Sequence, residues 1–116
     1  MAVLIIFLQM ILGIVFLVAG IGKLTGARVY VNAFRRWRLS QSFRLVVGGL
    51  EVFASILLLA GIFSHLFVML GAIIIVGISM GGILIHLNVK DRIHEMLPII
   101  ILGTLAFILL LLAGIA

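Results

Sequence analysis

Four apolar runs, each about 20 residues long, constrain this chain more than any other feature. They lie at Ala2–Gly22, Leu45–Ser64, Leu66–Ile85 and Leu97–Ala116. A helix rising ~1.5 Å per residue needs about that length to cross ~30 Å of hydrocarbon. The runs are continuous rather than alternating, and a closed barrel would need more of them. The sequence therefore predicts an all-α membrane protein: an antiparallel four-transmembrane-helix bundle, a single domain over residues 1–116. With 66% hydrophobic and 9% charged residues, the chain has too few polar side chains to clothe a soluble domain.

The charges fix an expected orientation. Of the eight Lys and Arg residues, Lys23, Arg28, Arg35, Arg36, Arg38 and Arg44 lie between the first and second spans, and Lys90 and Arg92 between the third and fourth. The positive-inside rule puts the loops at 23–44 and 86–96 in the cytoplasm and both termini outside, in an inner (plasma) membrane of bacterial or archaeal type. So one-sided a distribution argues against insertion in both directions. It also accounts for the net charge of +5 without a nucleic-acid partner. Lys23 follows the first apolar run rather than preceding it, so that run reads as a span and not as a cleaved leader. The absence of cysteine excludes disulfides, thiolate metal sites and a thiol relay on this chain.

Residues 27–42 are too polar to span and too regular for a slack linker. Tyr30, Phe34 and Trp37 fall on one helical stripe, with Arg28, Asn32, Arg35 and Arg36 on the other side. This predicts an amphipathic helix in the headgroup layer, aromatics toward acyl chains and arginines toward phosphates. An ordinary aromatic belt beside positive-inside charges is the simpler account of the same residues. Phe63–Leu66 allows only a tight hairpin, and Pro98 is expected in the first turn of the last helix, where its missing N–H costs nothing. The strings Leu58–Ile62 and Leu111–Ile115 nearly repeat, though apolar sequence produces such matches easily.

Polar side chains inside hydrocarbon are expensive and usually face a bundle interior. In the first span Gln9, Gly13, Phe16, Gly20 and Lys23 form one stripe; Gly48, Glu51 and Ser55 form another in the second, and Ser79, Gly82 and His86 a third in the third. Each mixes small residues, which permit close approach, with polar groups that need partners. Glu51 lies roughly 10 Å along its helix from Arg44, at ~1.5 Å per residue. His86 and Lys23 are at similar depth, so the three are expected to meet, with Ser55, Ser79 and Gln9 extending a polar track outward. Glu51, the one acid within a span, admits two readings. It is a proton carrier or head-group partner with functional chemistry, or it is a structural group paired with Lys23 or His86. His86 alone reads more readily as a structural histidine. No metal site is expected, because the three histidines are scattered and no HxxxH or ExxH spacing occurs. Gly77, Gly81 and Gly82 read as close-packing positions, since no polar loop follows them to cradle phosphate.

Three strings together resemble the DoxX-like family of small four-helix membrane proteins: Phe16–Leu24 with its small residues before lysine, Gly48-Gly49-Leu50-Glu51-Val52, and Ile85-His86-Leu87. The resemblance covers nearly the whole chain. It implies a membrane protein tied to redox metabolism, as a quinone-linked oxidoreductase subunit, in an oxidant-defence complex or in methylamine utilisation, while eukaryotic relatives of this architecture act as assembly chaperones. It places Lys23, Glu51 and His86 on the family's polar positions.

Three functions follow as expectations. The first is an accessory subunit of a quinone-linked redox system, with an intramembrane pocket for a quinone or lipid head group. The second is an assembly chaperone or structural subunit, in partnership with redox-complex subunits or as a homo-oligomer. The third is a small proton-coupled exporter, disfavoured because such exporters carry their acid in the first span, where this chain has Gln9. Catalysis by this chain alone is not expected, because no redox-cofactor motif is visible.

Overall fold

The computed structural model describes residues 1–116 as five helices and no strands: α1 (Ala2–Thr25), α2 (Arg28–Arg36), α3 (Gln41–Ala60), α4 (His65–Asn88) and α5 (Ile93–Ile115). Helices α1, α3, α4 and α5 are long and apolar enough to cross a membrane. They form an antiparallel four-helix bundle in which α1 packs on α3, α3 on α4, α4 on α5, and α5 more thinly back on α1. The long axis of 41 Å matches a bilayer with its headgroup layers, about 40–45 Å. Large apolar side chains such as Val18, Phe53, Met80 and Ile101 are more than half exposed on the flanks. So much outward apolar surface is stable only against lipid.

Each helix ends for a local reason. Gly26 takes the left-handed conformation at φ 78°, and the N–H of Ala27 donates back to Gly22 O at 2.9 Å, a Schellman-type stop. Ser40 caps α3 by accepting from the Phe43 N–H at 3.0 Å, which starts the helix at Gln41, ahead of its apolar run. The chain turns at Gly61–Ser64, so His65 opens α4. Lys90, also left-handed at φ 60°, ends the α4 exit by letting the Asp91 N–H donate to His86 O at 2.9 Å. Pro98 is not in the first turn: α5 begins at Ile93, making Pro98 its sixth residue. Its missing N–H therefore removes a bond to His94 O that the helix would otherwise make.

The core is built from Leu12, Ala54, Leu58, Ala72, Ile75, Ala106 and Leu109, all fully buried. Glycine sets the tightest crossing. A Cβ on Gly48 would lie 2.9 Å from Lys23 Cβ and 3.0 Å from Gly20 O, and one on Gly20 would lie 2.9 Å from Gly48 O. The α1 and α3 backbones thus touch at Gly20 and Gly48, immediately beside Lys23 and Glu51.

Candidate functional site: a cavity between α3 and α4

Close approach at Gly20 and Gly48 brings Lys23 Nζ to 2.7 Å from Glu51 Oε1. The carboxylate is 3% exposed. The contact is a buried ion pair that joins α1 to α3. The Lys23 ammonium also sits 4.3 Å from the centroid of the Tyr30 ring. Arg44 donates to Lys23 O and to Gln41 Oε1, which fixes the end of α1 against the start of α3.

His86 does not join this pair. Its Nδ1 donates to Asp91 Oδ2 at 2.6 Å, and Arg36 Nη1 donates to Asp91 Oδ1 at 2.8 Å. Glu95 is a second, looser partner of Arg36 at 3.7 Å. Asp91 escaped the sequence reading because it lies five residues after His86, outside any shared helical face. The left-handed turn at Lys90 folds it back. Loss of water pushes the Asp91 carboxyl up, but the hydrogen bonds from His86 and Arg36 and the Arg36 charge outweigh this and hold it below the usual carboxylate range.

The aromatic stripe of α2 faces the protein, correcting the expectation that it faces acyl chains. Tyr30 packs on Gly22, where a Cβ would come within 2.7 Å of the ring. Phe34 is buried, with its ring 5.3 Å from Trp37 and 6.2 Å from Phe43, and Trp37 meets His86 edge-on at 5.2 Å. The polar ends of α1, α3 and α4 need a cover, and the aromatic stripe is the apolar surface nearest to them. Arg28 and Arg35 stay exposed on the outer face, whereas Arg36 turns to Asp91. Burial, and next the nearby Glu51 charge, push the Tyr30 phenol above its ordinary value.

Lys23, Glu51 and His86 nonetheless share one cavity of about 460 Å³ between α3 and α4. Phe34 and Trp37 close its α2 end. Phe43, Val46 and Leu50, each at least two-fifths exposed, form its lipid-facing lip, and Ile74, Ile78 and Ile99 line its deeper part. Gly77 and Gly81 belong to its wall, and a Cβ on either would meet nothing within 4 Å. They are not packing positions, contrary to the sequence reading; Gly82 is one, with Ile99 at 3.3 Å.

No polar track leads outward from this cavity. Ser55 Oγ donates to Glu51 O within its own helix at 2.7 Å. Ser79 packs on Gly103 with an unpartnered hydroxyl. Gln9 lies at the opposite end of the bundle, where its Nε2 donates to Leu58 O at 2.9 Å and it lines a separate cavity of about 560 Å³ with His65 and both chain ends. No cluster of three or more His, Cys, Asp or Glu is arranged to hold a metal ion.

The family model described as DoxX-like matches residues 7–109, which include every residue of this cavity. No curated protein and no solved structure matches the chain.

Proposed function

We propose that this chain, which belongs to the DoxX-like family of membrane proteins, is an accessory subunit of a quinone-linked redox system and holds a quinone-like or lipid head group in the α3–α4 cavity. The observation that carries this reading is the division of the cavity's lining. Charged and aromatic groups (Lys23, Glu51, His86, Trp37) are gathered near one end, and apolar residues line the remainder up to a lipid-facing lip. That is the distribution an amphiphile requires: a few convergent polar groups for the head, apolar walls for the chain. The volume of about 460 Å³ is within the range of small-molecule sites, roughly 300–1,000 Å³. In this reading the basic end of the bundle is cytoplasmic, both termini are outside, and partner subunits supply the redox chemistry.

A structural role is the second reading, and one observation favours it. Lys23 already faces Glu51, and Arg36 and His86 already serve Asp91. Polar groups with partners of their own can lock helix register with no ligand present.

Mass spectrometry of small molecules co-purifying from native membranes separates the two readings, with wild type beside Glu51→Gln. A quinone or a single lipid enriched only with wild type supports the head-group site. Identical bulk lipid in both samples, with an altered thermal stability in the variant, supports the structural role.

A further inference from the structure

The chain carries eight Lys and Arg against three Asp and Glu, and all three acids are already taken. Glu51 faces Lys23, and Asp91 holds Arg36 with Glu95 as a looser partner. Arg44 donates to Lys23 O and Gln41 Oε1. Arg28, Arg35, Arg38, Lys90 and Arg92 are left without an acidic partner, and all five are exposed.

Two observations make these cations one surface. The Arg36–Asp91 bond of 2.8 Å ties the end of α2 to the turn after α4. Arg35 and Arg38 flank one side of that link, Lys90 and Arg92 the other. Arg38 and Lys90 are also the only residues other than glycine with positive φ, each at 60°. Glycine would take that conformation without strain at either helix exit. The helix dipole alone does not call for Arg38, since Arg35 and Arg36 already fill the last turn of α2. Strained backbone kept beneath an exposed cation on both sides of one ion pair is evidence that the two side chains have a partner.

This surface lies where α1 and α4 stop and α3 and α5 start, at the level of the headgroup layer. Val29, Leu87 and Ile93 are exposed apolar neighbours of the cations. That mixture suits a phosphate carrying acyl chains; an acidic protein segment would leave the apolar side chains uncovered. We infer that Arg28, Arg35, Arg38, Lys90 and Arg92 bind the headgroups of anionic phospholipids selectively, outside the α3–α4 cavity and independently of it. The sequence alone directs α2's arginines to phosphate; the structure withdraws Arg36 from that surface and adds the turn at 89–92.

The test mixes the purified full chain in neutral detergent with equal amounts of short-chain phosphatidylglycerol and phosphatidylcholine, and reads bound lipid by native mass spectrometry. Phosphatidylglycerol should be retained about tenfold or more over phosphatidylcholine, since one cation near an anionic headgroup is worth about fivefold. Raising the salt should shrink the preference. Arg35→Gln combined with Lys90→Gln should lower it about fivefold or more. Asn32→Arg, on the same exposed stripe as Arg28 and Arg35, should raise it. Gly77→Leu, whose side chain enters the cavity, should leave it unchanged. A preference abolished by Gly77→Leu would move the lipid into the cavity and overturn the surface while leaving the head-group site standing. Equal retention of the two lipids, or a preference that the charge variants do not change, overturns the inference and leaves the cations to orient the chain. Equal retention together with saturable binding of an oligoglutamate peptide overturns it in favour of an acidic protein partner.

Discussion

Lys23 and Glu51 meet at 2.7 Å because Gly20 and Gly48 have no side chains. The α1 and α3 backbones touch there, and the ion pair is a consequence of that crossing. A buried pair of this kind is weak grounds for stability in itself, since desolvation offsets much of the attraction, but removing one partner leaves the other charge stranded.

Lys23→Met should therefore destabilise the bundle strongly, by about 3–5 kcal/mol, whereas Lys23→Met combined with Glu51→Leu should recover most of the loss. Denaturant unfolding in detergent measures both. Equal losses in the single and double variants would mean that Glu51 is not stranded when its partner goes.

The glycines divide into two classes by the space around them. Gly48→Ala should cost about 1–3 kcal/mol, because its Cβ would press on Lys23 Cβ and Gly20 O. Gly49→Ala, one residue away, should be neutral or stabilising by up to ~1 kcal/mol, because nothing lies within 4 Å and alanine is the better helix former. Thermal unfolding of the two variants side by side reads the difference.

Asp91 has a depressed carboxyl, so its contribution to stability has a defined sign. It is fully present above the ordinary value of 3.8 and is lost as pH falls through the lower value in the folded protein. Wild type should lose stability on acidification below about that pH, and Asp91→Asn should lose less over the same window. Parallel acid-unfolding curves for the two would contradict the Asp91 network.

Tyr30 is the only tyrosine, so ultraviolet phenolate titration reports it alone. The midpoint should lie above 10.0, first from burial and then from the Glu51 charge, and Glu51→Gln should move it part of the way back. A midpoint at or below 10.0 would place Tyr30 away from this cluster.

Cysteine is absent, which makes single-cysteine labelling clean. If the positive-inside reading holds, cysteines replacing Arg38 and Lys90 should react with impermeant reagents only from the cytoplasm, and one replacing Ser64 only from outside. The opposite pattern would invert the proposed orientation.

The four spans were legible because run length and composition leave a membrane chain few alternatives. Lys23 and Glu51 were legible as neighbours because helical stripes give the face and residue count gives the depth. Asp91 was not: its pairing with His86 runs through a left-handed lysine that no periodicity marks. The α2 aromatics had a legible face but not a legible cover, since spacing is the same whether lipid or protein lies against it. Gly77 and Gly81 read as packing residues because glycine in a span usually is one. Whether a neighbour reaches it is decided by the crossing of α3 with α4, which depends on both helices together. Pro98 misled for a smaller reason: Ile93–Leu97 extend the helix through a charged stretch that looked like loop.

The most direct test of the head-group cavity is photocrosslinking with a chain-bearing quinone analogue, followed by peptide mapping. The account predicts labels confined to the cavity lining, on α3 between Phe43 and Glu51, on α4 between Ile74 and His86, and on the facing Lys23, Phe34, Trp37 and Ile99, lost when Gly77→Leu fills the wall. Labels spread evenly over the lipid-facing flanks, or gathered at the Gln9 end and unaffected by Gly77→Leu, would contradict it.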